Sequence, residues 1–386
     1  MVEVYDRLAA LVAARCPDTP VLLLRPGLLE RTAAAVRAAF PGEVWYAVKC
    51  NPLPQVLEAL RRGGVDCFDV ASIGEVRSLR ALLGREVRLA FMHPVKPEEA
   101  IIEAYRDWGV RRFALDSAEE FEKIRRVTAG ARDVELVVRL KVDDRKARLP
   151  FSGKFGADPS EAAALLRRVR REYGFCGLTF HVGSQCLDPG AFVRALRCAR
   201  WVVEAAGGVD LLDVGGGFPV SYVGSEPPFA AFVEAICETL AGWPDRPALA
   251  CEPGRLLVAE ALSLLVRVEL RRGSKLYLND GVFGHLSELR SLGPGFPMRV
   301  VLPRRRAPLE GFTLYGPTCD GEDVMPGPHL LPGDVRTGDW IEIGMMGAYS
   351  VSLRTGFNGM PEGELWVLEE DVGIGGRTGS RLVRAA

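Results

Sequence analysis

The chain has 386 residues, 48% of them hydrophobic, so it can bury the core of one large barrel or of two domains. Its 49 basic and 50 acidic residues give a net charge of −1, which argues against nucleic acid or a membrane surface as the main partner. The nine cysteines are scattered and form no CxxC pair, which favours a reducing compartment and argues against a disulfide scaffold or a metal site built on cysteine.

The N-terminal stretch predicts an amphipathic helix and not a signal peptide, because it carries acidic residues and lacks a long apolar core. Since no apolar run is long enough to span a bilayer, we expect a soluble, cytoplasmic protein. The basic cluster PRRRAP at 303–308 is short and is interpreted as a solvated loop.

The order of predicted elements divides the chain into three segments. Residues 1–26 predict a helix and the strand PVLLLR, which we assign to a second, β-rich domain. Residues 27–262 alternate short apolar strands with stretches whose apolar residues recur at helical spacing. Residues 263–386 lose the helical periodicity and predict a C-terminal β domain, a sandwich or small barrel broken by Pro and Gly turns.

The middle segment contains eight candidate strands, which favours a (β/α)8 barrel over a doubly wound sheet. They are VWYAVKC, DCFDVAS, VRLAFMHP, RFALDS, VELVVRLKV, CGLTFHVGS, LLDVGGGF and ALACEPGR. Polar residues stand at nearly every carboxyl end of these strands, where barrel enzymes build their active sites. These residues are Lys49, Asp69, Ser72, His93, Asp116, Arg139, His181, Ser184, Glu252 and Arg255.

The stretch DVGGGFP is the strongest indication of a ligand. Gly215, Gly216 and Gly217 follow a strand and expose backbone N–H groups, which predicts an anion site. The pattern is not GxGxxG, so we disfavour a dinucleotide. A phosphate site, a lysine and a strand-end acid together indicate pyridoxal phosphate, with Lys49 as the Schiff-base residue and Glu252 as the partner of the pyridine nitrogen.

Seven motifs in order resemble the fold-type III pyridoxal-phosphate decarboxylases, the group of ornithine, lysine, arginine and diaminopimelate decarboxylases. They are YAVKCN, DVAS, FHVGSQ, DVGGGFP, CEPGR, GPTCDGED, and GAYS followed by FNGM. The resemblance is strongest to the ornithine branch. It implies an alanine-racemase-like barrel with a β domain, carboxy-lyase activity on a small-molecule amino-acid substrate, and a place in polyamine biosynthesis.

The resemblance also implies roles for single residues. Lys49 looks like the covalent attachment point, His181 like the residue stacked on the ring, and Glu252 like the pyridine partner. The implied phosphate contacts are Ser184, Gly217, Arg255 and Tyr349, and Gly215, Gly216 and Gly254 are further implied cofactor contacts. Asp69, Glu75 and Arg139 match supporting positions, and SGKFGAD at 152–158 is similar to a mobile loop in which Lys154 contacts the partner subunit.

In this family the GPTCD segment reaches the active site of the neighbouring subunit, so the resemblance implies a homodimer with shared sites. Cys319 would return a proton to the substrate carbon after carbon dioxide leaves. Asp320 would hold a distal amine.

The substrate implied by GPTCD is a basic amino acid, ornithine or lysine, since the diaminopimelate branch has glutamate where Asp320 stands. The ornithine branch has a second acid downstream of NDGVYG. Here Glu288 is the one acid in that stretch, with Arg290 and Arg299 as further candidates for a substrate contact. Diaminopimelate, a specialised biosynthetic amino acid, a racemase on the same scaffold and a catalytically inactive regulatory homologue stay open as alternatives.

Overall fold

The computed structural model describes residues 2–151, 153–301, 307–372 and 378–384, so Ser152 and most of the PRRRAP cluster lie outside the described residues. The described strands are β1 (Val21–Leu24), β2 (Glu43–Ala47), β3 (Cys67–Val70), β4 (Arg88–Phe91), β5 (Arg112–Leu115), β6 (Glu135–Leu140), β7 (Ala147–Leu149), β8 (Cys176–Phe180), β9 (Ser184–Cys186), β10 (Leu211–Asp213), β11 (Ala248–Cys251), β12 (Leu262–Arg272), β13 (Lys275–Leu278), β14 (Met298–Val300), β15 (Leu309–Tyr315), β16 (Val324–Pro332), β17 (Trp340–Ile343), β18 (Glu364–Val372) and β19 (Thr378–Arg384). The described α-helices are α1 (Val2–Arg15), α2 (Pro26–Ala39), α3 (Pro54–Arg62), α4 (Ile73–Leu83), α5 (Glu98–Arg106), α6 (Ala118–Val127), α7 (Pro159–Glu172), α8 (Pro189–Ala206), α9 (Phe229–Ala241), α10 (Arg255–Val258) and α11 (Ser287–Leu292).

The chain forms two compact units, one of residues 31–221 and 226–257 and one of residues 1–30, 222–225 and 258–386. The first unit is a closed barrel with the strand order β10-β11-β2-β3-β4-β5-β6-β8. All neighbouring strands in it are parallel. These are the eight strands that the sequence predicts, so the (β/α)8 prediction is confirmed.

The barrel helices begin where short polar side chains cap them. Ser72 Oγ accepts the N–H of Glu75 at the start of α4, and Ser117 Oγ accepts the N–H of Glu120 at the start of α6. Each such cap is worth about 1 kcal/mol of helix stability. Parallel strands that are buried on both faces have sequences that are almost continuously apolar, as the barrel strands have here.

The inside of the barrel is filled by side chains and is not a pore. A buried cluster contributed by seven of the strands and the segment after β4 occupies it: Trp45, Cys67, Ala90, Met92, Ala114, Val137, Leu211 and Ala250. Because the interior is closed in this way, chemistry is confined to the loops at the ends of the strands.

The second unit is built on a nine-stranded mixed sheet in which the main path runs β16-β15-β13-β12-β1-β18-β19, with β17 pairing β12 and β14. Strand β1, near the start of the chain, pairs antiparallel with β12 and parallel with β18. The core of this second unit includes Val21, Leu23, Leu265 and Trp366. None of the helices in the described ranges has the length and apolarity that crossing a lipid bilayer requires.

Candidate active site

Lys49 stands directly after β2, in a single 3-10 turn at Val48–Cys50. Its Nζ lies 3.4 Å from Oδ2 of Asp69, which is buried near the end of β3. The lysine side chain itself is 47% exposed. The amine is therefore held at the carboxyl end of the barrel strands by a buried carboxylate while remaining reachable from outside.

Glu75, in the first turn of α4, lies close to Lys49 and Asp69. Its Oε2 accepts the N–H of Ala71 at 2.6 Å, while its own N–H is bound by Ser72, so the two side chains cap the helix reciprocally. Burial raises the pKa of Glu75, and the charge of Asp69 adds to this.

Glu252 follows β11 and lies in the same region as two other buried charged groups, Asp213 and Arg139. Burial raises the pKa of Glu252 well above its usual value, and the charges of Asp213 and Asp69 act in the same direction, opposed by Lys49 and Arg139. Burial also raises the pKa of Asp213 to about 6, while a hydrogen bond between its carboxyl and that of Glu252 acts in the opposite direction. Oε1 of Glu252 is buried and has no hydrogen-bond partner within the described residues.

His181, just after β8, is held as a neutral imidazole. Its Nδ1 accepts the N–H of Gly183 at 3.0 Å, which assigns the proton of the neutral ring to Nε2. Burial lowers the pKa of His181 well below its usual value, and the charges of Arg139 and Lys49 lower it further. The Phe151 ring lies 5.0 Å from the imidazole, centroid to centroid.

The glycine turn after β10 has backbone angles that other residues rarely adopt, with φ of +65° at Gly215 and +99° at Gly217. A Cβ on Gly217 would meet the carbonyl of Gly183, and one on Gly216 would meet the carbonyl of Glu252 and Nε2 of His181. The turn is tied down because Asp213 accepts the N–H of Gly215 at 2.8 Å and the Gly215 carbonyl accepts the N–H of Glu252 at 2.8 Å.

Two buried side chains add donors in the same unit. Nη2 of Arg255 donates to Oγ of Ser184 at 3.3 Å, and both residues are buried. Gly254, one residue earlier, packs so close to Cys50 that a Cβ would stand 2.9 Å from the cysteine Cβ. A guanidinium, a hydroxyl and glycine amides are donors that suit a phosphate group.

The second unit, called the β unit from here on, carries another cluster of functional side chains around the loop after β15. Cys319 is exposed, and Asn358 Oδ1 accepts both its backbone N–H at 3.2 Å and its thiol at 3.4 Å. Asp320 is exposed as well, and its Oδ1 accepts the N–H of Glu322 at 2.7 Å. An open cleft of about 500 Å³ in this unit is lined by Asp320, Thr318, Tyr277 and Tyr315 among others.

Comparison with known proteins identifies the family. The family described as pyridoxal-dependent decarboxylase, pyridoxal binding domain, matches residues 27–259. The chain belongs to the pyridoxal-dependent decarboxylases. It is 33% identical to the lysine/ornithine decarboxylase of Selenomonas ruminantium over 360 residues, which cover 90% of this chain and 89% of that protein. It is 35% identical to the ornithine decarboxylase of Cricetulus griseus, over 83% of this chain and 74% of that protein.

A solved structure agrees with this assignment of the decarboxylase family. The lysine/ornithine decarboxylase of Vibrio vulnificus, complexed with putrescine, superposes with a TM-score of 0.80 at 30% identity, covering 93% of this chain and 98% of that one. The prediction of a decarboxylase that depends on pyridoxal phosphate is confirmed, as is the resemblance to the ornithine branch.

The residues of this decarboxylase barrel fit the cofactor of the family. The orphaned, buried Oε1 of Glu252 is an acceptor suited to the protonated pyridine nitrogen. The glycine turn packs against neighbouring carbonyls more closely than a Cβ would allow, and it supplies backbone amides for a phosphate. Lys49 offers its amine, and neutral His181 offers a flat apolar face. These groups meet the chemical needs of pyridoxal phosphate.

The structure places the predicted substrate residues in different surroundings. Glu288 lies in the first turn of α11 and is 4% exposed, whereas Asp320 is exposed. Arg290 donates to the Glu322 carbonyl at 2.7 Å, and Arg299 donates to Glu342 at 2.7 Å, so each already has a protein acceptor. Tyr349 lies in the β unit with φ of +61°.

Sequence reasoning gave no role to Asp213, Phe151, Asp323 or Asn358. Asp323 accepts the N–H and the hydroxyl of Thr318 and the N–H of Val282, and so fixes the loop that carries Cys319. Asp213, Asp323 and Asn358 lie inside the motifs DVGGGFP, GPTCDGED and FNGM, so their positions were visible. Asp323 also binds Val282, Asn358 binds Cys319 and Asp213 interacts with Glu252, and these partners are distant in sequence, so the motifs gave no signal of those contacts.

Proposed function

We propose that this decarboxylase acts on ornithine or lysine and releases the corresponding diamine. The observation that carries the proposal is the convergence of Lys49, His181 and Glu252 at one end of the barrel, with the glycine turn beside them. Asp320 supports the choice of a basic substrate, because an exposed carboxylate next to Cys319 suits a distal ammonium group.

In this proposal each barrel residue has one task. Lys49 is the covalent attachment point of the cofactor and yields to the substrate amine. Glu252 holds a proton at the pyridine nitrogen, and His181 covers one face of the ring. The amides of Gly215, Gly216 and Gly217 bind the phosphate.

Further contacts complete the proposed cofactor site. Gly254, Arg255, Ser184 and Tyr349 add to the phosphate contacts, while Asp69 and Arg139 support the charges around Lys49 and Glu252. Bound pyridoxal phosphate supplies the electron sink that makes loss of carbon dioxide feasible.

The β unit supplies the remaining two tasks. Asp320 binds the distal amine, and Cys319 donates its thiol proton to the substrate carbon. We propose that these two residues act in the barrel site of a second copy of the chain, in a two-fold dimer, with Lys154 contacting the partner. The proposed compartment is the cytoplasm, supported by nine cysteines that are all free thiols.

A specialised amino acid is the second candidate substrate. Glu288, the acid predicted to complete a distal ammonium site, is almost fully buried while Asp320 is exposed. If a buried ammonium lacks one charge-assisted hydrogen bond, about 1.5–3 kcal/mol is lost, which weakens ornithine by roughly ten- to a hundredfold.

The test is carbon dioxide release from L- and D-ornithine, L- and D-lysine, L-arginine and meso-diaminopimelate, with pyridoxal phosphate supplied and its visible spectrum recorded. We expect turnover of ornithine or lysine by the native protein and none by Lys49→Ala. Bound cofactor without turnover of any compound would point to the specialised substrate. Inversion of chirality without carbon dioxide would show a racemase and sink the proposal, and failure to bind the cofactor would favour the inactive regulatory homologue.

A further inference from the structure

The thiol of Cys319 has a specific protein acceptor. Oδ1 of Asn358 lies 3.4 Å from the sulfur and 3.2 Å from the backbone nitrogen of the same cysteine. An amide oxygen has two lone pairs and can accept both hydrogen bonds at once. One neutral side chain therefore fixes both the backbone and the side chain of the predicted proton donor.

Asn358 holds this position in a strained backbone conformation. Its φ of 55° and ψ of 14° lie in the left-handed region, where asparagine is tolerated better than most residues. Non-glycine residues in this region persist where their surroundings enforce it, and they cluster at functional sites. The turn that carries Asn358 is anchored by Thr355, whose N–H and hydroxyl both donate to the Phe283 carbonyl, at 2.9 and 3.0 Å, and whose Oγ1 accepts the N–H of Phe357 at 3.2 Å.

The same segment of chain anchors the cysteine side of the contact. Val282, next to Phe283, donates its N–H to Asp323 at 2.7 Å, and Asp323 accepts the hydroxyl of Thr318 at 2.6 Å. The Phe283 ring also packs on the ring of Phe357, with centroids 4.8 Å apart. Because both the cysteine and the asparagine are tied to residues 282–283, the fold sets the distance between them.

We propose that Asn358 is the positioning residue for the proton that Cys319 donates. The proposal rests on the proposed function, in which Cys319 protonates the substrate carbon. The electron pair left when the bond to carbon dioxide breaks forms a new C–H bond with the thiol proton, and the thiolate left behind is reprotonated by solvent. Asn358 exchanges no proton. It holds the S–H group in one orientation, through a neutral hydrogen bond that is weak enough to release.

Two substitutions separate this role from a merely structural one. Asn358→Gly keeps the left-handed backbone accessible and removes the acceptor, whereas Asn358→Asp keeps the acceptor and adds a negative charge. A neutral hydrogen bond is worth about 1 kcal/mol, roughly three- to tenfold in an equilibrium. Removing the acceptor frees the thiol from its hydrogen bond, and a carboxylate in its place sets a negative charge beside the sulfur, which repels the thiolate that alkylation requires.

The first measurement is the rate at which iodoacetamide alkylates Cys319 in the cofactor-bound protein, located by peptide mass spectrometry with Cys319→Ser as the control. At one fixed pH, we expect Asn358→Gly to react about three- to tenfold faster than the native protein and Asn358→Asp to react more slowly. Equal rates in all three proteins, or shifts in the same direction in both variants, would overturn the proposal.

The second measurement is the ratio of diamine to aldehyde among the products. If Cys319 failed to protonate the substrate carbon, protonation elsewhere followed by hydrolysis with water would release an aldehyde in place of the diamine, and the amine nitrogen would stay with the cofactor. We expect both variants to raise the aldehyde share, and an unchanged share in both would overturn the proposal. If the native protein itself released no carbon dioxide, the proposed function would fail, while the alkylation rates would still report on the Asn358 contact.

Discussion

At the scale of single residues, the Glu252 carboxylate is needed for catalysis but lowers the folding stability of the protein. Burial raises the pKa of this carboxyl well above its usual value, so its charge is costly when no cation balances it. Replacing it by Gln removes the negative charge that balances the proton on the pyridine nitrogen. Losing one partner of a buried charged pair costs about 3 kcal/mol, so we expect kcat to fall by roughly a hundredfold, measured as carbon dioxide release at saturating substrate.

Unfolding of the cofactor-free protein is the control for this substitution. A carboxyl whose pKa is raised on folding contributes no penalty below its unfolded pKa and destabilises the protein progressively as pH rises through the folded pKa. Glu252→Gln has no such group, so we expect its cofactor-free unfolding midpoint to exceed that of the native protein, by a margin that widens with pH above 4.5. A lower midpoint together with lower activity would instead indicate simple damage to the fold.

At the scale of elements, the glycine turn after β10 is where a single methyl group should do most harm. In Gly217→Ala the new Cβ meets the Gly183 carbonyl, at a φ that disfavours alanine. Overpacking of this kind costs about 1–3 kcal/mol, and we expect cofactor affinity to fall by roughly 10- to 100-fold, measured by titrating the cofactor-free protein with pyridoxal phosphate.

Gly207 provides the matched control, because it ends α8 in the left-handed region, with φ of 81° and open space around its Cβ position. Gly207→Ala should cost about 1 kcal/mol of stability and leave cofactor affinity unchanged. Equal losses of affinity in both variants would mean that backbone strain, and not the shape of the phosphate turn, is responsible.

The difference between local and distant contacts explains which elements could be predicted from the sequence. The eight barrel strands and their polar ends follow from local periodicity, and all were predicted. Strands β7 (ARL) and β9 (SQC) lack the apolar run that marks even the three-residue β10 (LLD), and their pairing through Ala147 and Cys186 depends on tertiary structure. Likewise, the contact between Cys319 and Asn358 joins residues 39 positions apart, which no motif reveals.

At the scale of the whole molecule, the proposed dimer can be tested by complementation. Lys49→Ala and Cys319→Ala each remove one group from the site, in the barrel unit and the β unit respectively. If sites are shared between subunits, a mixed dimer has one site that keeps both groups and one that lacks both. An equal mixture after random exchange should therefore regain about a quarter of the native diamine production. If each chain completed its own site, no intact site would form.

In a second mixture, shared sites give lower activity than separate sites, which is the reverse of the first mixture. The pair of mixtures therefore guards against incomplete exchange of subunits. The double variant, Lys49→Ala with Cys319→Ala, is mixed with an equal amount of native chain. Shared sites leave both sites of every mixed dimer defective, so activity falls to about a quarter of that of native protein at the same total concentration. Separate sites would leave about half. With exchange verified by co-purification of a tagged subunit, recovery in the first mixture and a quarter in the second would together assign Cys319 to the partner's barrel.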